Sequence, residues 1–321
     1  MAGSLELFLI LFFSLTLVWA TDLLISSLKT LADETKVGKF ALTSFVLALA
    51  TSIPELFVGI TSAFEGRPIL ALGNVLGSNI ADLSLVIGGA ALLGGELRVV
   101  GNIFNRDTIL TFFASFLPIV LLLDKTLSRL DGVVLVLVYL FFQITVLKGK
   151  RKDAYGKGWI KRLLKKIIPM ATNHKKEWGN FFLGSALLLL SADLLVRAAT
   201  KLALSFSIPM LLVGLFLVAI GTSLPELSFE LQAIKKREVG MVFGDLLGSI
   251  VANSTLILGI TSLLHPIKIA AFEDFIIATV FFLFLFALFY CFMKTKRKLE
   301  KWEGAILLGF YLLFALIELL R

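Results

Sequence analysis

ALATSIPELFVGITSAFEGRPILALGNVLGSNIAD, residues Ala48–Asp82, joins two apolar segments that each hold residues hydrocarbon should exclude. The first carries Thr51, Ser52, Pro54 and Glu55. The second carries Asn74, Ser78, Asn79 and Asp82, with Gly73 and Gly77 among them. Proline beside a carboxylate at membrane depth is costly, and ionisable groups placed there mark an ion or substrate path. The stretch occurs twice. Ala219–Asn253 reads AIGTSLPELSFELQAIKKREVGMVFGDLLGSIVAN, and adding 171 to the first copy's numbers gives the second without a gap. Thr51 becomes Thr222, Ser52 Ser223, Pro54 Pro225, Glu55 Glu226, Ser78 Ser249 and Asp82 Asn253. The register extends upstream, where TDLLI at 21–25 meets ADLLV at 192–196 and Asp22 matches Asp193. The chain is an internal duplication.

Around these copies the composition is that of a membrane protein. Of 321 residues, 58% are hydrophobic and only 17% charged, against about a quarter charged in a soluble domain. Long apolar runs with short polar breaks predict an all-α polytopic membrane protein. Ten spans are expected, near 5–28, 39–63, 69–94, 106–123, 130–147, 178–200, 207–233, 240–264, 272–293 and 302–320. The first lacks a basic leader, contains Glu6 and has a partner in the sixth, so it reads as a retained helix, not a secretory signal. One cysteine, Cys291, excludes a disulfide, and His174 and His265 are too few and too far apart for a histidine metal site.

The halves divide as 1–147 and 178–321, with a basic loop at 148–177 between them. That loop, with its flanks, carries eleven Lys and Arg, which assigns it to the cytoplasm. Every other loop then follows: 24 basic residues fall inside against 7 outside, and both termini lie outside. The +8 net charge therefore serves topology and calls for no nucleic acid. Trp159–Ile168 could also rest on anionic lipid. Five spans per half make the second repeat enter the membrane in the opposite sense. Inverted repeats with broken helices meeting near the midplane are a secondary-transporter architecture, and helices 2 and 7 carry the breaks.

In TSIPE and TSLPE, proline removes a backbone donor, so the helix should break near Thr51–Ser52 and Thr222–Ser223, releasing carbonyls. Ser52 with Glu55, and Ser223 with Glu226, also have the spacing of a capping box. In the neighbouring spans Ser78 and Asp82 share a helix face, as do Ser249 and Asn253. If the copies face each other, one site gathers Glu55, Glu226, Asp82 and Asn253, ringed by Thr51, Ser52, Thr222, Ser223, Ser78 and Ser249. All are hard oxygen ligands, a set suited to Ca²⁺ and Na⁺ and poorly suited to zinc, copper or iron.

These motifs resemble those of the calcium/cation antiporter superfamily, and within it the prokaryotic sodium/calcium exchangers. ATSIPE at 50–55 with GNVLGSNIAD at 73–82 is similar to that family's first repeat motif; GTSLPE at 221–226 with GSIVAN at 248–253 is similar to its second. The resemblance implies that Glu55 and Glu226 are central carboxylates binding either Ca²⁺ or Na⁺, with Thr51 and Thr222 beside them on Ca²⁺. It also implies that Ala48 and Ala219 lend backbone carbonyls to flanking sodium sites, alongside the threonines and serines. The chain departs from the family pattern in exchanging amide and acid at Asp82 and Asn253, and in having Asp245 where the first repeat has Asn74. Asp245 is a further candidate for a proton or a second cation, or a helix cap. Glu230 is expected at a cytoplasmic mouth near Lys235, and Asp22 and Asp193 in structural hydrogen bonds.

The function so implied is a secondary antiporter exchanging Ca²⁺ for Na⁺ by alternating access. It acts as a monomeric unit in the cell membrane, with no cofactor beyond the transported ions. Proton coupling through Asp82 and Asp245 is the alternative. A channel is disfavoured by acids buried between two inverted repeats, an enzyme by the lack of a nucleophile–base pair, and a primary pump by the lack of an ATP motif.

Overall fold

Backbone amides in hydrocarbon have no partner but their own chain, and the apolar runs fold accordingly into helices. The computed structural model describes residues 2–35, 51–98, 103–149, 175–235 and 239–320. Helical segments lie in every expected span: α1 (Ala2–Thr35), α2 (Ile53–Phe64), α3 (Pro68–Gly94), α4 (Ile103–Leu121), α5 (Arg129–Gly149), α6 (Lys175–Phe206), α7 (Met210–Lys235), α8 (Val239–Leu264), α9 (Phe272–Lys296) and α10 (Lys301–Leu319). Among the described residues, six of them, α1, α3, α6, α7, α8 and α9, contain a stretch long and apolar enough to cross a bilayer. Phe8, Leu11, Leu15 and Trp19 of α1 and Leu137 and Phe141 of α5 are exposed, as a surface solvated by lipid requires. The basic stretch 150–174 and the first part of the second span, 36–50, lie outside the described residues.

The duplication seen in sequence is also a duplication of packing. α1 runs along its repeat mate α6 in the most extensive helix pairing of the structure, with its own apolar cluster around Ile10, Leu17, Leu188 and Leu195. The other main cluster is built by exchange between halves. α5 of the first half packs on α8 of the second, and α10 of the second packs on α3 of the first. Each contact is closed by a pair of glycines. A Cβ on Gly88 would meet the Gly304 carbonyl oxygen at 2.8 Å, and one on Gly132 would meet that of Gly259 at 2.7 Å. Gly88 and Gly259 are themselves related by the 171-residue register.

Two short antiparallel clips repeat the exchange. β1 (Leu97–Arg98) pairs with β4 (Lys298–Leu299), and β2 (Thr126–Leu127) with β3 (Ile267–Lys268). Leu97, Leu299, Leu127 and Ile267 turn inward and are buried. Around the first clip, Lys298 Nζ donates to Glu96 Oε2 at 2.8 Å, and Arg98 Nε to Glu96 Oε1 at 2.7 Å. The lysine, and after it the arginine, hold the Glu96 carboxyl below its usual range. Glu300 and Glu96 in turn raise Lys298.

Candidate cation site

The two broken helices turn at matching residues with matching geometry. Ser52 has φ −83° and ψ 9°, and Ser223 has φ −84° and ψ 1°. Helix resumes at once, at Ile53 and Leu224, with the proline at the second position where its missing N–H costs little. The amide of Leu56 reaches the Ser52 carbonyl at 3.1 Å, and that of Leu227 the Ser223 carbonyl at 3.2 Å. The expected capping box is not made at Ser52, which forms no side-chain cap bond. Its backbone is not in the extended conformation that aims a capping hydroxyl at the helix amides. Both serine hydroxyls, Ser52 Oγ and Ser223 Oγ, are buried without a hydrogen-bond partner among the described residues.

The hydroxyls one residue earlier bind across the molecule, in the same way on both sides. Thr51 Oγ1 donates to Asp245 Oδ1 at 3.0 Å and lies 3.3 Å from Ser249 Oγ. Thr222 Oγ1 donates to Asn74 Oδ1 at 3.0 Å and lies 3.4 Å from Ser78 Oγ. Each member of one trio is the repeat mate of a member of the other. Asp245 and Asn74 therefore do one job, receiving the threonine of the opposite repeat. Asp245 sits within α8 and is no cap for it.

The acids are buried as well. Glu55 and Glu226 are 1% and 3% exposed. Ser78 Oγ donates to Glu55 Oε1 at 3.4 Å. Glu55 Oε2, Glu226 Oε2, Asp245 Oδ2 and both carboxylate oxygens of Asp82 have no hydrogen-bond partner among the described residues. Unpartnered buried carboxylates are among the costliest groups a membrane protein can hold, which makes them candidates for holding positive charge. Among the described residues, no three Asp, Glu, His or Cys side chains converge closely enough to hold a metal by themselves. A cation held here would need neutral oxygens to complete its shell.

Three features escaped the sequence reading. α3 and α8 each widen into a π-helical segment, Asp82–Val86 and Ala252–Ile257, starting at or next to the paired site residues Asp82 and Asn253. Such bulges are frequent at functional sites, but nothing in residue spacing announces one. Asn79 is also part of the site's wall: its Nδ2 donates to Ser254 Oγ at 2.8 Å, and its Oδ1 accepts from Asn253 Nδ2 at 3.2 Å. Asn253 Oδ1 is left without a partner among the described residues. Glu230, expected at a mouth, is 1% exposed. It lies on the face of α7 that turns inward with Glu226, so one helical turn toward Lys235 does not bring it to the surface.

The remaining expectations divide. Ala219 is fully buried, and its carbonyl accepts from Ser223 N at 3.0 Å and lies 3.3 Å from Thr222 Oγ1. Ala48 lies outside the described residues. Asp193 is an ion-pair partner, 3.0 Å from Arg197, which also reaches Glu65 at 2.7 Å. Asp22 is exposed.

Long apolar helices around buried acids are the build of a multi-pass membrane transport protein. The chain belongs to the sodium/calcium exchanger family, whose sequence profile, described as "Sodium/calcium exchanger protein", matches residues 5–148 and 176–320. A candidate antiporter of Alkalimonas amylolytica, CaxA, is 33% identical over 93% of this chain and 95% of its own. The sodium/calcium exchanger MaX1 of Methanosarcina acetivorans is 29% identical over 97% of each chain. Among solved structures, the sodium-calcium exchanger NCX_Mj soaked with 100 mM Na⁺ and 10 mM Sr²⁺ superposes with a TM-score of 0.64, at 25% identity and 97% coverage of both chains. The protein is thus a membrane antiporter of exchanger type, not an enzyme, and the ions it handles are transported ones, not resident cofactors.

Proposed function

We propose that this protein exchanges Ca²⁺ for Na⁺ by alternating access, with Glu55 and Glu226 as the residues that take up either ion. One observation carries the reading. Two repeat-related glutamates start two half-helices inside the protein, each with an oxygen that no described group satisfies, beside hydroxyls from both repeats. Ca²⁺ takes six to eight oxygens in flexible arrangements, and the hydroxyls of Thr51, Thr222, Ser52, Ser223, Ser78 and Ser249, the carbonyls of Ala48 and Ala219, and the side chains of Asp82 and Asn253 provide them. Asn74 and Asp245 fix the threonines.

The coupling follows from electrostatics. An empty site with several carboxylates is costly to close inside a low-dielectric core. The carrier therefore changes face only when cations have neutralised it, so one ion must replace the other. In this reading all ten helices cross the bilayer as two inverted repeats, 1–147 and 178–321. The 148–177 loop is cytoplasmic and lies near anionic lipid, both termini are outside, and one chain is the working unit. The exchange of packing partners and clips between halves supports the inverted arrangement.

The test is ⁴⁵Ca²⁺ uptake into proteoliposomes under an outward Na⁺ or an outward H⁺ gradient. Uptake driven by Na⁺ and indifferent to an imposed pH difference is expected. Uptake driven only by H⁺ would overturn the sodium reading and assign the coupling to Asp82 and Asp245. No uptake under either gradient would remove Ca²⁺ as the cargo.

A further inference from the structure

The two repeats match at the glutamates and differ at the next pair of site residues. Asp82 of the first repeat corresponds to Asn253 of the second, Leu83 to Ser254, and Asn79 to Ile250. These three differences belong together. Asn79 Oδ1 accepts from Asn253 Nδ2 at 3.2 Å, and Asn79 Nδ2 donates to Ser254 Oγ at 2.8 Å. Asn79, Asn253 and Ser254 are 1%, 1% and 3% exposed. Neighbours in sequence can share one partner because they lie in the π-helical segment Ala252–Ile257. Successive side chains diverge less there than the roughly 100° of an α-helix. Of the polar atoms on the three side chains, Asn253 Oδ1 alone has no partner among the described residues. In the other repeat, where the carboxylate stands, the mates Ile250 and Leu83 are apolar and fully buried.

The chemistry of the two groups explains the difference. A carboxylate presents oxygen whichever way it turns, whereas a primary amide has one accepting end and one donating end. A hard cation is held by the oxygen end only. Near carboxylates, an unrestrained amide turns its NH₂ toward them and offers a cation the wrong end. Resting on the exchanger reading, we infer that Asn79 is a positioning residue, which takes up the Asn253 NH₂ and so keeps Asn253 Oδ1 free for the cation. Ser254 fixes Asn79 in turn, by accepting from its Nδ2 and leaving its Oδ1 to face Asn253. Asp82 needs no such partner, and its repeat has none to offer: a leucine follows it, and an isoleucine occupies the position equivalent to Asn79. The amide at 253 thus serves as an oxygen ligand because a residue of the opposite repeat holds it the right way round.

The experiment is ⁴⁵Ca²⁺ equilibrium binding to the purified protein, comparing wild type, Asn79→Leu, Asn253→Asp and the double variant. Leucine keeps the branched outline of asparagine and removes the acceptor. Asn79→Leu is expected to weaken Ca²⁺ binding about tenfold, the scale on which residues that orient a metal ligand act. In Asn253→Asp either oxygen serves, so adding Asn79→Leu should change affinity by less than about twofold. Equal losses in both backgrounds, or no loss in either, overturn the inference, because mere packing does not distinguish an amide from a carboxylate at 253. If Asn79→Leu does not fold, Ser254→Ala acts one step further back and leaves Asn79 in place. It should weaken binding in the wild-type background and not in Asn253→Asp, and equal effects in the two overturn the inference. A wild type that binds no Ca²⁺ would count against the exchanger reading instead, and the hydrogen bond is then read directly by solid-state NMR of ¹⁵N-asparagine-labelled protein. The side-chain amide signal that Asn253→Asp removes should shift in Asn79→Leu, and an unshifted signal overturns the inference.

Discussion

Gly77 lies one residue before Ser78, where α3 presses against α7. A Cβ built there falls on the Leu215 carbonyl oxygen, 2.8 Å from the Leu215 carbonyl carbon and 2.6 Å from the Ala219 Cβ. The last contact is 0.8 Å short of the 3.4 Å at which ordinary contact begins, and the Leu215 carbonyl beside it is backbone, which cannot turn aside. Gly77→Ala must therefore move α7 away from α3 by close to that amount. The same movement draws Thr222 from Ser78, now 3.4 Å apart. Ca²⁺ binds oxygen at about 2.3–2.6 Å, so a wall displaced by a large fraction of an ångström leaves the ligand range. Overpacking of this kind costs about 1–3 kcal/mol. Falling wholly on the occupied site, that is roughly a 5- to 150-fold loss of Ca²⁺ affinity. The assay is the Ca²⁺ dependence of Na⁺-driven ⁴⁵Ca²⁺ uptake, with thermal melting of the purified protein alongside. Gly89→Ala on the same helix is the control. Its Cβ would meet only Leu227 Cδ1, at 3.9 Å, among the described residues, and alanine is the better helix former by up to about 1 kcal/mol. Wild-type affinity in Gly77→Ala, or equal damage from Gly89→Ala, would refute the reasoning.

Other substitutions test other parts. Glu55→Gln and Glu226→Gln should each lower exchange at least about 100-fold while the melting temperature holds or rises, read by ⁴⁵Ca²⁺ uptake and differential scanning fluorimetry. Thr51→Val should destabilise the fold by about 1–3 kcal/mol, because it leaves Asp245 Oδ1 without its buried donor; denaturant unfolding measures it. The Glu96–Lys298 contact should give the β1–β4 clip a pH window. The carboxyl sits below its ordinary 4.5, so its support is present above that pH and fades as pH falls below it. The lysine sits above its ordinary 10.5, so its support is lost only as pH rises beyond that value. The protection of Arg98 and Leu299 amides against hydrogen exchange, relative to the free peptide at each pH, should fall at acid pH, and Glu96→Gln should remove that fall.

The repeat register made much of the site legible before any coordinates. Thr51 with Ser249 and Thr222 with Ser78 meet as two facing copies require, and the breaks fall at Ser52 and Ser223. What the register could not convey is how each copy deviates from regular helix. The extra residue in the turn at Asp82 or Asn253 leaves no mark in composition, since a π-helical segment uses the same apolar and small residues as the helix around it. The serine caps failed for a related reason, because spacing predicts which side chain is near an amide but not the backbone angle that aims it. Asn79 was visible as a polar intruder, yet its partner Ser254 belongs to the other half at a position unrelated by 171, so symmetry gave no hint of the pairing. Distance along the helix toward Lys235 places Glu230 near water, whereas the helix face it occupies is the one buried with Glu226.

The clips bear on how the chain is made. Glu96 and Lys298 are 202 residues apart, so Leu97 leaves the ribosome long before Leu299 exists to pair with it. β2 likewise waits for β3, and α3 for α10. The first half must therefore be held in the bilayer with its seams open until the second arrives, and neither half can reach its final shape by itself. A gene cut between the halves should still yield transporter when both pieces are translated together, and nothing when either is translated alone.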